Sequence, residues 1–282
     1  MSYTPTKKLA QRRKKIVIQR IVVAGISVVC IIGSIIFAFH VENFRIQNIS
    51  IVGANSISES EIQSLVETSL AGSYGYVIPR NNTLFYSKQE ILTTLRESFL
   101  KIVSIEIERT GLQSITVSIQ ERSPYALWCG NNVATSATEN IKCYFIDSMG
   151  LVYAEAPIFS NDVYTHYYGG AIGNGTVLGA HYLPITDFRG LDQFIRTLIS
   201  VGVETKNIHV YDGDVDVYLA GKSGSTPTVL RFSITQPYVK SLSAFNTFIS
   251  DQTSSTTLQK FLASVEYIDF RFGNKIYSKA RK

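Results

Sequence analysis

The segment FRIQNISIVGAN, residues 44–55, decides how the fold is read. Phe44, Ile46, Ile49 and Ile51 alternate with polar neighbours, apart from a slip near Asn48, and Gly53-Ala54-Asn55 follows. This is the pattern of a half-buried strand closed by a turn. Beyond it, Ser56 or Ser58 precedes Glu59 and Glu61, and Ile62, Leu65, Val66 and Leu70 recur at helical spacing. The spacing predicts a helix with a start signal and one apolar face. A connector rich in Gly and Tyr (GSYGYVIPRNN, 72–82) leads to a second helix marked by Ile91, Leu92, Leu95 and Phe99. IVSIEIER (102–109) and SITVSIQER (114–122) are rich in β-branched residues and are joined by Thr110-Gly111, which predicts a hairpin. A strand, two helices and two strands can bury both helices against one face of a three-stranded sheet, leaving the other face and an edge open.

On the N-terminal side lies IVVAGISVVCIIGSIIFAF, residues 21–39, nineteen positions without a charge. At ~1.5 Å per residue it covers roughly 28 Å, the thickness of a bilayer's hydrocarbon layer. Seven of the 27 basic residues (Lys7, Lys8, Arg12, Arg13, Lys14, Lys15 and Arg20) precede it, and the first acidic residue of the chain is Glu42. Basic flanks stay on the cytoplasmic side, so the expectation is a single-pass anchor with its N-terminus inside and everything after His40 outside. A cleaved signal peptide has a shorter apolar region and a small-residue cleavage site, which Ala38-Phe39-His40-Val41-Glu42 does not provide. Without the arm, 20 basic residues face 22 acidic ones. The overall positive charge therefore reflects the membrane flank and argues against a nucleic-acid role. Cys30, within the span, reads as a small apolar residue.

On the C-terminal side the second domain begins near Ser123. One helix is marked by Leu191, Phe194, Ile195, Leu198 and Ile199, another by Val239 to Ile249, before the loop DQTSSTT. Strands are expected at Ile208–Tyr211, Val215–Leu219, Thr228–Ile234 and Val265–Phe272. The fold class is thus α+β, with a mostly antiparallel sheet in this domain. Two cysteines remain beyond the anchor, Cys129 and Cys143, separated by a polar Asn-rich loop between strand-like segments. In an exported protein they are expected to form a structural disulfide at the open end of a hairpin.

Several motifs suggest chemistry and fail on inspection. Asp212, Asp214 and Asp216 have the alternate spacing of a calcium loop but lack the rest of it, and Asp212-Gly213 reads better as a tight hairpin turn. Gly221-Lys222-Ser223 lacks the earlier glycine of a phosphate-binding loop. His166, His181 and His209 have no ligand spacing, and no nucleophile elbow or Cys–His pair is evident. Asn174-Gly175-Thr176 reads as loop composition. No catalytic residue, metal or cofactor is expected.

The run Val52-Gly53-Ala54-Asn55, Ser58 and Glu61-Ile62, followed by VSIQERSP (117–124) with Ala126 and Trp128, resembles a POTRA domain of the kind found in the bacterial cell-division family FtsQ/DivIB. Ile146-Asp147, Gly150, Val152, Leu183-Pro184 and EYIDFRFGNKIY (266–277) resemble that family's second domain in the same order. The Tyr- and Gly-rich stretch between Gly150 and Leu183 is longer than the family pattern. The resemblance implies a basic cytoplasmic arm (1–20), a transmembrane helix (21–39), a POTRA domain (44–122), a β domain (123–278) and a basic tail (279–282).

It implies a non-enzymatic scaffold in the cell membrane at the division septum. Its partners would be FtsB- or DivIC-like and FtsL-like single-pass coiled-coil proteins, other divisome membrane proteins and the lipid bilayer. A POTRA-bearing envelope chaperone or secretion component is the alternative. The final strand is the expected partner site, since a terminal strand commonly lies at a sheet edge. By parity Ile268, Phe270 and Phe272 share one face, and Tyr267, Asp269 and Arg271 the other. The resemblance singles out Arg271 and Phe272 as partner contacts.

Overall fold

The computed structural model describes residues 7–75, 78–133, 141–159, 163–172, 176–221, 226–234, 238–250, 255–273 and 275–281. The chain divides into two compact units, Met1–Glu121 and Arg122–Lys282, and is α+β with one N-terminal apolar helix and a large mixed sheet.

In the first unit, α1 spans Lys7–His40, and its stretch Arg12–Phe37 is long and apolar enough to cross a membrane, with none of it buried by protein. Apolar side chains such as Ile21, Val29 and Ile31 lie open on its surface. A 3-10 turn over Glu42–Phe44 leads to β1 (Asn48–Val52), α2 (Glu59–Leu70), a two-stranded ribbon of β2 (Ser73–Tyr74) and β3 (Ile78–Pro79), α3 (Lys88–Ser98), β4 (Ile102–Arg109) and β5 (Ser114–Glu121). β5 is the central strand of a three-stranded sheet, parallel to β1 and antiparallel to β4. Ile105 and Ile107 of β4 and Ile115, Val117 and Ile119 of β5 are buried in one core with Ile62 and Val66 of α2 and Ile91 and Leu95 of α3. Period two on the strands and periods three and four on the helices supply that core. Ser87 caps α3 by accepting from Glu90 N at 3.2 Å.

The turn after β1 has a specific lock. Gly53 sits at φ +88°, and a Cβ there would stand 2.1 Å from Ile119 O, so only glycine lets β1 approach β5 this closely. The carboxylate of Glu121, at the end of β5, accepts from the backbone N–H groups of Asn55 (2.7 Å), Ser56 (2.9 Å) and Ile57 (3.1 Å) and from the Ser56 hydroxyl. Burial pushes its pKa up, but these four donors outweigh burial and hold the carboxyl below its usual value.

The second unit contains β6 (Ala126–Trp128), β7 (Tyr144–Ile146), β8 (Val152–Glu155), β9 (His166–Gly169), α4 (Ile185–Ser200), β10 (Thr205–Tyr211), β11 (Asp214–Leu219), β12 (Val229–Ser233), α5 (Tyr238–Ser250), α6 (Ser255–Ser264), β13 (Val265–Phe272) and β14 (Lys275–Ala280). Nine strands form one sheet in the order β14-β13-β12-β11-β10-β9-β6-β7-β8. Five pairings are antiparallel and three, β13 with β12, β10 with β9 and β9 with β6, are parallel. Asp212 (φ 46°) and Gly213 (φ 84°) make the tight turn expected between β10 and β11.

Phe194 of α4 and Phe245 of α5 pack with Phe232 and Phe270 of the sheet; Phe194 lies edge-on to Phe232 at 4.3 Å, and Phe232 stacks on Phe270 at 4.9 Å. Leu258 and Leu262 of α6 join the same core.

Three sequence expectations change. The Tyr/Gly-rich stretch, in which no strand was expected, supplies β9 inside the sheet between β10 and β6. Tyr167 and Tyr182 pack edge to face there at 5.2 Å, and a Cβ on Gly169 would stand 2.0 Å from Val210 O. α6 forms where a polar loop ran into unassigned sequence, because Leu258 and Leu262 find the core. Val265–Phe272 is not an edge strand, since β14 pairs along it, and the expected tail at 279–282 belongs in part to that strand.

Candidate functional site

The two edges of the nine-stranded sheet are finished differently. At one end the start of β8 is covered: Val152 N donates to Ala180 O (2.9 Å), Gly179 N donates to Val152 O (2.8 Å), and Leu151 bridges to His181. At the other end β14 pairs only with β13, and among the described residues nothing pairs with its outer edge. All six residues of β14, Lys275 to Ala280, are exposed. Such an edge offers a row of backbone donors and acceptors to an incoming strand.

The six residues singled out in sequence have unequal places beside this edge. Ile268 and Phe270 are buried on the helix-covered face, and Asp269 is buried on the opposite one. Tyr267 is half-buried with the Arg231 guanidinium 4.7 Å from its ring centre. Arg271 is engaged within the unit, donating from Nε and Nη2 to the two oxygens of Asp269 (2.9 and 2.7 Å) and from Nη1 to Asp214. Phe272 is 56% exposed, which corrects its expected place beside Phe270. The physical reason is an irregularity in the β13–β14 register between Asp269 and Phe272, which breaks the two-residue period. Its ring meets Tyr277 edge-on at 5.2 Å, and the two exposed rings form an apolar ledge at the sheet end.

Behind the ledge runs a row of register partners from strand to strand: His209, Asp216, Arg231, Asp269 and Tyr277. Arg231 stands 3.5 Å from Asp216, and Arg271 joins Asp269 to Asp214. Burial pushes the Asp269 carboxyl up, but the side-chain and backbone donors of Arg271 prevail and hold it below its usual value. Burial dominates at Asp216 and raises its pKa against the pull of Arg231 and Tyr211. The Tyr211 phenol is pushed up to about 12 by burial and by the neighbouring Asp216 charge. Of the three carboxylates that resembled a calcium loop in part, Asp214 is held by Arg271, and Asp216 by Arg231 and Tyr211.

Cys129 and Cys143 are joined as a disulfide, with Cα atoms 4.2 Å apart, directly beyond the Trp128–Tyr144 pair of β6 and β7. His209 lies against Asn131 O (3.0 Å), and Cys30 is exposed on α1. Among the described residues no group of three or more His, Cys, Asp or Glu side chains could hold a metal. Lys222, Ser223, Asn174 and Gly175 lie outside the described residues. β14 escaped the sequence reading, although Lys275, Tyr277 and Lys279 alternate with Ile276, Ser278 and Ala280 after Gly273 (φ 65°). No protein-family model matches this sequence, and no curated protein matches it.

Proposed function

We propose that this protein is a non-enzymatic, single-pass membrane scaffold of the FtsQ/DivIB kind, acting in the bacterial divisome. α1 anchors it with the basic arm in the cytoplasm, the first exported unit is a POTRA domain, and the second receives partner proteins at the septum. The observation that carries this reading is the contrast between the capped edge at β8 and the open edge at β14. A sheet that shields one edge and exposes the other along six residues beside an apolar ledge is suited to accept a strand. The motif order supports the family assignment, and the Gly53–Glu121 lock gives two of its residues a structural task.

The partner site moves accordingly from β13 to β14. Phe272 and Tyr277 form the contact ledge, and Arg271 positions β13 through Asp269 and Asp214. The incoming strand would come from an FtsB- or DivIC-like protein associated with an FtsL-like one. A fluorescent fusion of the full chain tests the assignment: a midcell band supports it, and a uniform envelope signal in dividing cells refutes it in favour of a general envelope role.

A further inference from the structure

A second surface, in the first unit, inverts the usual placement of polar and apolar residues. Asn82 and Thr83 are 0% and 2% exposed, whereas the next two residues, Leu84 and Phe85, are 53% and 45% exposed. The inversion is built. Asn82 Oδ1 accepts from Leu84 N (2.9 Å), Asn82 O accepts from Phe85 N (3.0 Å) and Tyr86 N (2.8 Å), and the Thr83 hydroxyl donates to Leu112 O (2.5 Å). Leu112, at the tip of the β4–β5 hairpin, is itself 58% exposed.

These loops are tied to the segment that leaves α1. Thr83 N donates to Phe44 O (2.8 Å), Ile46 N to Asn81 O (2.8 Å) and Gln113 Nε2 to Glu42 O (3.2 Å), while α1 touches β3. No free linker separates them. The apolar stretch of α1 ends at Phe37 and the helix ends at His40, so the helix end stands about 5 Å beyond the stretch. The headgroup layer of one leaflet is about 5–7 Å deep. Loops hydrogen-bonded to Glu42–Ile46 are therefore held at headgroup level if α1 spans the bilayer.

We infer that Leu84, Phe85 and Leu112 are a membrane-docking surface that seats the first unit on the outer leaflet of the bilayer crossed by α1. This rests on reading α1 as the membrane anchor. The occupant is the lipid surface itself, because the patch is continuous with the exit of an apolar helix and lies too close to it to face bulk water. Exposed aromatic and aliphatic side chains partition into the headgroup boundary in this way.

The test is spin-label accessibility of the full chain, in the Cys30→Ala background with the Cys129–Cys143 disulfide intact, reconstituted in phosphatidylethanolamine–phosphatidylglycerol vesicles. Single cysteines replace Leu84, Phe85 or Leu112 in that background, and the unsubstituted chain labelled at its native Cys30 is the depth reference. Val103 is the aqueous control: it is 52% exposed and lies about 20 Å along β4 from the hairpin tip. Labels at 84, 85 and 112 are expected to be more accessible to oxygen than to chelated nickel, with the reverse at 103. Aqueous behaviour at those three positions with lipid behaviour at 30 overturns the docking surface alone. Protection from both reagents assigns the patch to a protein contact and also overturns it. Aqueous behaviour at 30 removes the anchor and the docking surface together.

Discussion

Replacing Glu121 with Ala probes the lock that closes the first unit. The side chain accepts from three consecutive backbone N–H groups and from one hydroxyl. A hydrogen bond to a charged group contributes about 1.5–3 kcal/mol when well shielded. This carboxylate is only partly shielded and water can replace it at the freed amides, so the sum is discounted to a loss of about 2 kcal/mol. The assay is urea unfolding of the full chain in detergent, followed by hydrogen exchange in peptides covering residues 48–70. Glu121→Gln adds a pH test. The folded-state pKa lies below the ordinary carboxylate value, so the stabilisation is fully present above the unfolded value of about 4.3 and is lost as pH falls through the folded one. The advantage of the wild type over Glu121→Gln is therefore expected to shrink as pH drops below about 4. An Ala variant within about 0.5 kcal/mol of the wild type, or an advantage that grows on acidification, would refute the reasoning.

Arg271→Ala leaves the buried Asp269 carboxylate without its main partner and is expected to destabilise the second unit by about 3 kcal/mol, read by thermal unfolding; an unchanged melting temperature would remove its positioning role. Phe232→Ala opens a cavity between Phe194 and Phe270 and is expected to cost about 3–5 kcal/mol in urea unfolding, with a loss under about 1 kcal/mol contradicting the packing described. Reducing Cys129–Cys143, which closes a 15-residue loop, is expected to lower stability by about 3 kcal/mol, and two reactive thiols besides Cys30 in the untreated protein would contradict the pairing.

The first unit was largely legible because its strands and helices keep clean periods. Ile115, Val117 and Ile119 alternate, Ile62 and Val66 stand a helical turn apart, and all of them meet in one core. The hairpin at Asp212-Gly213 was legible for an equally local reason, the left-handed turn those residue types favour. What escaped depended on distant partners. β9 is short and rich in Tyr and Gly, and is a strand only because β6 and β10 flank it. α6 begins with Ser and Thr and becomes a helix through Leu258 and Leu262. The last two residues of β14 looked like part of a basic tail, 279–282, because an edge strand carries the lysines and exposed side chains of a surface segment. The register irregularity before Phe272 then moved its ring off the face it was expected by parity to share with Phe270. The sheet edge was expected at Val265–Phe272, and β14 occupies it instead.

The central claim is strand addition along β14. Its most direct test is amide hydrogen exchange across Lys275–Ala280 in the full chain, reconstituted in bilayer discs with and without the FtsB- or DivIC-like and FtsL-like proteins. The account predicts at least about tenfold slower exchange at alternate amides of β14 on binding, with β8 unaffected. Complex formation with unchanged exchange along β14 would contradict it.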